Sequence, residues 1–223
     1  MIKGILFDFD GTLSFRMQSA YKMYKRCIQI ILPDKDPLEQ ESIIQECLYW
    51  DQYGTISKDY VYTKLKEKYK PDLDVQKWTD DWLANFPQYQ VPMEGAYKTL
   101  QKLHQYYMLG ILSNGDAESQ KNKIHALGMD ACVDVVVISG EYGIQKPDQR
   151  IFEITAEKMG LPCNEIAYIG DTFHRDILGA SKAGMKPVWY CFEKQGVTDF
   201  GIQKVSSMKE IERMFTEDTA WNI

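Results

Sequence analysis

The stretch ILFDFDGTLS, Ile5 to Ser14, carries an apolar run into two aspartates, Asp8 and Asp10, and then a glycine. Two carboxylates that close repel each other and resist desolvation. A cation between them, or a reaction that needs two acids, gives the pattern a reason. Further along the chain, Ser113-Asn114-Gly115 and Gly170-Asp171 follow apolar runs, Asp176 comes soon after, and Lys146-Pro147 lies in a later loop. Carboxylates grouped without histidine or cysteine suit a hard, oxygen-preferring cation, for which Mg²⁺ is the natural choice. A carboxylate can also act as a nucleophile and form an acyl phosphate. A second one nearby can serve as general acid and then general base. Ser113 with the backbone N–H groups after it can hold phosphoryl oxygens, and Lys146 can neutralise them. These are the parts that phosphoryl transfer requires.

Taken singly, each piece has an ordinary explanation. Asp10-Gly11 reads as a turn, Ser113-Asn114-Gly115 as a turn or helix cap, and Lys146-Pro147 as a surface loop. Asp171-Thr172 can cap a helix, and Asp176 suits the dipole at a helix start. Their joint occurrence at the ends of apolar runs carries the chemical argument.

Parallel strands explain that placement. Short apolar runs at Ile2–Phe7, Met108–Leu112, Val133–Ile138, Ile166–Ile169 and Pro187–Cys191 read as buried strands. Between them, Gly95–Tyr106 has apolar positions Ala96, Tyr97, Leu100 and Leu103 at helical spacing, and Glu118–Leu127, Arg150–Met159 and Asp176–Ala183 read similarly. Strand followed by helix, repeated, predicts βαβ units and a doubly wound, mainly parallel sheet with right-handed connections. Ligands of such sheets bind beyond the carboxyl ends of the strands, where the acids, the serine and the lysine converge. The rhythm breaks after the first strand. From about Phe15 to Phe86 the pattern is helical throughout, with segments at Ser19–Ile31, Leu38–Tyr49, Lys58–Tyr69 and Val75–Phe86. The expectation is an α/β, Rossmann-like core of residues 1–14 and 91–223 with an all-helical domain, 15–90, inserted after the first strand. Pro87, Pro92 and Gly95 mark the exit.

With these motifs in order, the chain resembles the haloacid dehalogenase (HAD) superfamily of aspartate-nucleophile phosphohydrolases. DFDGTL is similar to the family's first motif, ILSNG to the second, GIQKPD to the third and IGDTFHRDILGASKAGM to the fourth. The resemblance implies Asp8 as nucleophile and Asp10 as general acid/base. Mg²⁺ would be held by the carboxylates of Asp8 and Asp171 and the backbone carbonyl of Asp10. It also implies that Ser113 and Asn114 orient phosphate, that Lys146 screens nucleophile and phosphoryl group, and that Thr12 and Asp176 support the site. The inserted helices would form a cap whose turn at YWDQYGTIS, Tyr49 to Ser57, helps choose the substrate, with Trp50, Tyr53, Gly54 and Thr55 as candidates. Trp50 and Tyr53 read first as packing for the helical segment's own core. Arg16, Lys22 and Arg26 read as solvated helix charges, and His174 as an exposed loop residue.

The implied activity is Mg²⁺-dependent hydrolysis of a small phosphomonoester through an aspartyl-phosphate, with nucleoside 5′-monophosphates first among substrates. Phosphoglycolate, a sugar phosphate, or a phosphomutase on the same scaffold are the alternatives. A dehalogenase fits less well because Asp10 is present, and a non-enzymatic binding protein because the whole residue set is intact. Bulk features agree. The chain has 223 residues and a formal net charge of −6, which argues against a nucleic-acid polymer as partner. Five widely spaced cysteines without a CxxC and only three histidines argue against a disulfide frame or a zinc site. With neither a signal peptide nor a membrane span in the sequence, the expectation is a cytoplasmic enzyme that works away from membranes.

Overall fold

The structure, a computed structural model, describes residues 1–191 and 201–217. The chain divides into two compact units, Met1–Ser14 with Pro92–Ile223, and Phe15–Val91.

The first unit is built on a parallel sheet. Its described strands are β1 (Gly4–Phe7), β2 (Met108–Ser113), β3 (Val135–Ile138), β4 (Ile166–Gly170), β5 (Lys186–Tyr190) and β6 (Gln203–Val205), in the order β3-β2-β1-β4-β5-β6. All pairs are parallel. A parallel sheet must be covered on both faces, and side chains alternate between them. Ile5 and Phe7 of β1 accordingly enter one apolar cluster and Leu6 the other. The first cluster takes Ala96, Leu100 and Leu103 of α5 (Ala96–Leu103), Ile124 of α6 (Ala117–Ala126) and Met208, Ile211 and Phe215 of α9 (Met208–Thr216). The second takes Ile151, Phe152 and Ala156 of α7 (Gln149–Lys158) and Ala180 of α8 (Leu178–Lys182). Each such side chain contributes about 1.5–3 kcal/mol when a large aliphatic or aromatic group is fully withdrawn from water.

Register matters most for function. Phe7, the last residue of β1, lies opposite Ile111 of β2 and Ile169 of β4. The three central strands therefore end at nearly the same level, and the chain order reverses at β1, the place where doubly wound sheets bind ligands. Two features escaped the sequence. β6 is a three-residue edge strand with two exposed residues, too short and polar to read as an apolar run, and α9 follows it. The expected helix Asp176–Ala183 begins instead as a π turn, Phe173–Ile177, before α8. Such turns recur at functional sites.

The second unit has four helices of its own: α1 (Arg16–Ile31), α2 (Pro37–Asp51), α3 (Lys58–Lys68) and α4 (Val75–Asn85). They enclose a separate core that includes Tyr24, Ile28, Ile44, Tyr62, Leu65 and Trp82. α2 starts on a reciprocal cap between Asp36 and Glu39, with Pro37 in its first turn. Arg16 overturns its reading as a solvated charge. It is buried, and its Nη2 lies 3.0 Å from Asp51 Oδ2, while Tyr24 and Lys58 engage the other oxygen of that aspartate. Arg26 pairs with Asp81 and is only partly exposed, whereas Lys22 is exposed. α2 ends in consecutive left-handed residues, Gln52, Tyr53 and Gly54, at φ 43°, 58° and 84°. A Cβ on Gly54 would stand 2.6 Å from Arg16 Nη2, so only glycine fits there. Trp50 packs partly against the helical core, and Tyr53 is 73% exposed. Among the described residues no helix is long and apolar enough to cross a membrane.

Candidate active site

The site grows from the loops at the carboxyl ends of β1, β2 and β4. Asp8 extends β1 by one ladder bond, its N–H donating to Ile169 O at 2.8 Å. The loop then turns back tightly, with Leu13 and Ser14 N–H groups donating to Phe9 O. Gly11 sits at φ 92°, and a Cβ there would lie 2.2 Å from Asp171 Oδ2. The glycine thus answers two demands at once, a left-handed backbone and the approach of a carboxylate from β4. Thr12 is fully buried in this loop, and its Oγ1 has no hydrogen-bond partner among the described residues.

Lys146 lies at the centre of the buried part. Its Nζ donates to Asp8 Oδ1 at 2.7 Å, Asp176 Oδ1 at 2.7 Å, Tyr168 Oη at 2.8 Å and Leu112 O at 3.1 Å. Burial works to lower its pKa, and the carboxylates of Asp176 and Asp8 outweigh burial, leaving it raised. Asp176 is fully engaged. Its Oδ1 also accepts from Tyr168 Oη at 2.9 Å and its Oδ2 from Thr172 N–H at 2.9 Å. Burial pushes the Asp8 carboxyl well up, Lys146 opposes the rise, and Asp176 and Asp171 add to it. Asp171 is pushed up to about 6, first by burial and then by Asp176. Its loop is fastened by Trp189 on β5, whose Nε1–H donates to Asp171 O at 2.8 Å.

One oxygen from each of Asp8, Asp171 and Asp176 falls within 4.8 Å of the others. Three acids thus crowd together, and the one lysine held among them serves Asp8 and Asp176. That donor set, all oxygen and short of positive charge, fits a hard divalent cation. Both oxygens of Asp176 accept hydrogen bonds from the protein, and Asp8 and Asp171 complete the acidic group beside it.

Asp10 faces a different environment. Its Oδ2 accepts from Lys123 Nζ at 2.5 Å and from Gln120 Nε2 at 2.9 Å, both on α6. Gln120 Nε2 also reaches Ser113 Oγ at 2.5 Å and Asn114 O at 3.0 Å. The Asn114 side chain is held by the lysine loop. Its Nδ2 donates to Lys146 O at 3.0 Å, and its Oδ1 accepts from Lys146 N–H at 2.8 Å. This two-way clasp locks the lysine loop to the end of β2.

The structure therefore brings together Asp8, Asp10, Thr12, Ser113, Asn114, Lys146, Asp171 and Asp176 in the first unit. Trp50, Tyr53, Gly54 and Thr55 belong to the helical unit. His174 is exposed. Sequence reasoning missed Gln120, Lys123, Tyr168 and Trp189. Gln120 and Lys123 look like the solvated face of an ordinary helix, and Tyr168 and Trp189 like strand packing, so nothing short of the tertiary arrangement marks them.

Comparison with known proteins agrees with this geometry. Residues 5–190 match the family described as haloacid dehalogenase-like hydrolase. A glyceraldehyde 3-phosphate phosphatase of Pyrococcus abyssi is 30% identical over 203 residues, 87% of this chain and 83% of that protein. The pyrimidine 5′-nucleotidase YjjG of Escherichia coli is 26% identical over 219 residues, 94% of this chain and 96% of that one. Among solved structures, the putative HAD-hydrolase YfnB from Bacillus subtilis, described as bound to magnesium, has a TM-score of 0.74 at 19% identity, covering 96% of this chain and 99% of that one. The buried acid–lysine centre, the parallel sheet that presents it and a match over most of the length lead to one conclusion: the chain belongs to the haloacid dehalogenase-like hydrolases.

Proposed function

We propose that the protein is a Mg²⁺-dependent phosphomonoesterase of a small metabolite that works through an aspartyl-phosphate on Asp8. The observation that carries this reading is the unequal treatment of two neighbouring carboxylates. Asp8 shares the buried Lys146 with Asp176, whereas Asp10 has its own lysine, Lys123, on another element. Two acids in two environments suit two roles. Lys146 holds Asp8 Oδ1, so attack on phosphorus comes from Oδ2. As the Oδ2–P bond forms, the ester P–O bond breaks and Asp10 gives its proton to the leaving oxygen. Water then attacks phosphorus, its proton passes to Asp10, and Asp8 is released as a carboxylate. Ser113 Oγ and the backbone N–H groups after it hold the phosphoryl oxygens, and Asn114 keeps Lys146 in place. Mg²⁺, held by Asp8, Asp171 and the Asp10 carbonyl, neutralises phosphoryl charge when bound.

The relatives' names support a small phosphorylated substrate and disagree on which, a triose phosphate for one and a pyrimidine nucleotide for another. We assign selection among such compounds to the helical domain, residues 15–90, and within it to the turn carrying Trp50, Tyr53, Gly54 and Thr55. The test is phosphate release from nucleoside 5′-monophosphates, glyceraldehyde 3-phosphate, phosphoglycolate, sugar phosphates and p-nitrophenyl phosphate, with Mg²⁺ or with a chelator. Release that needs Mg²⁺ and vanishes in Asp8→Asn is the expected result. Release that survives Asp8→Asn would remove the nucleophile from this account, and Tyr53→Ala should reorder the panel.

A further inference from the structure

The mechanism above leaves one well-built feature without a task, the inner face of α6. The helix starts on Asp116, whose Oδ1 accepts from Ser119 N–H at 2.9 Å. Gln120 and Lys123 follow on one face, a turn apart, and both are buried, at 4% and 6% exposure. A lysine on a surface helix ordinarily carries its charge out to water. Here Nζ turns inward, 2.5 Å from Asp10 Oδ2 and 5.6 Å from the centre of the Phe9 ring. Burying the lysine of such a pair while its carboxylate stays 26% exposed is a poor source of stability, because desolvation of the ammonium offsets much of the attraction. Gln120 extends the arrangement. Its Nε2 has three acceptors in reach, Asp10 Oδ2, Ser113 Oγ and Asn114 O, and only two hydrogens to give. One amide therefore joins the proton-moving carboxylate to the loop that holds phosphate. Gly115 makes room for it, since a Cβ there would lie 2.9 Å from Gln120 Cγ.

Resting on the phosphatase reading, we propose that Lys123 and Gln120 are positioning residues that fix the Asp10 carboxylate for the hydrolytic half of the reaction. In that half the water oxygen bonds to phosphorus and the P–O bond to Asp8 breaks. Its electron pair returns to the Asp8 carboxylate, and the proton of water goes to Asp10. Lys123 stays an ammonium throughout. It holds one oxygen of Asp10 so that the carboxylate meets the incoming water at a fixed angle, and Gln120 keeps that angle in step with the seat of the phosphoryl group.

The test uses full-length protein, Mg²⁺ and p-nitrophenyl phosphate, whose leaving group departs without a proton. Positioned acid–base groups contribute on the order of 10²–10⁴ in rate, and loss of positioning alone should cost roughly 10–100-fold of it. Lys123→Met should release about one p-nitrophenolate per enzyme in a rapid burst and then turn over roughly 10–100-fold more slowly than wild type. The same variant, quenched in acid, should retain phosphate on the protein. Lys123→Arg should recover part of the rate, and Gln120→Leu should show a smaller deficit of the same kind. The burst counts folded enzyme, so damage to the fold is not mistaken for lost positioning. Wild-type turnover in Lys123→Met overturns the inference. So does loss of burst and turnover together in a variant that melts like wild type, because Lys123 would then act in the first half. If Lys123→Met does not fold, Gln120→Leu decides by the same two readouts. A wild-type protein that releases no phosphate from any ester overturns the phosphatase reading itself, a separate result.

Discussion

Replacing Lys146 by methionine keeps most of the side chain's bulk and removes its charge. In the native protein Nζ serves Asp8, Asp176, Tyr168 Oη and the Leu112 carbonyl, all within 3.1 Å. The side chains of Asp8 and Asp176 are 10% and 1% exposed, so water cannot take the lysine's place. Removing one member of a buried charge pair costs about 3–5 kcal/mol. In a chain of this size each kcal/mol moves Tm by roughly 2–4 °C, which gives a fall of about 6–20 °C. The cost depends on pH. Burial already pushes the Asp8 carboxyl up against the pull of Lys146, and without the lysine it goes higher still. A carboxyl whose folded pKa is raised binds protons more tightly folded than unfolded, so its contribution is most favourable in acid and is lost as pH rises through the folded pKa. The deficit of Lys146→Met should therefore widen as pH rises. Thermal melts of the metal-free protein in chelator, followed by circular dichroism, measure it. The double variant Lys146→Met/Asp176→Asn should regain part of the loss, because one of the two stranded charges is gone. A Lys146→Met protein that melts within about 2 °C of wild type at pH 8, less than the shift for one kcal/mol, would refute the claim that this lysine holds the carboxylates together.

Two further outcomes follow from the same centre. In the metal-free protein Asp171 titrates at about 6, above an unfolded value near 3.9, so its contribution to stability is present in acid and lost as pH rises through about 6. Mg²⁺ must expel that proton, so the rise in Tm on adding Mg²⁺ should be small at pH 5 and large at pH 7.5, and a rise independent of pH would remove Asp171 from the metal's donors. Gly11→Ala places a Cβ 2.2 Å from Asp171 Oδ2 at a φ of 92°. Strain of this kind costs about 1–3 kcal/mol, so the variant should lose both Tm and its response to Mg²⁺, as measured by melts with and without the metal.

The sequence by itself determined the first five described strands, the helices between them and the loops that carry the acids. Apolar runs such as Ile5–Phe7 and Ile166–Ile169 have no stable place except a buried strand, and a motif at the end of such a run is fixed to the end of that strand. Chemistry written in local order, Asp8 beside Asp10 or Asp171 shortly before Asp176, was legible because type and spacing alone express it. Tertiary structure decided how those groups are paired. Lys123 and Gln120 lie more than a hundred residues from Asp10 in the chain and meet it only because β2 lies beside β1. Asn114 clasps Lys146, and Arg16 is buried on Asp51 rather than solvated. A polar side chain on a helix looks the same in sequence whether water or a carboxylate awaits it. Its partner is set by which strands and helices become neighbours, and that is a property of the folded chain as a whole.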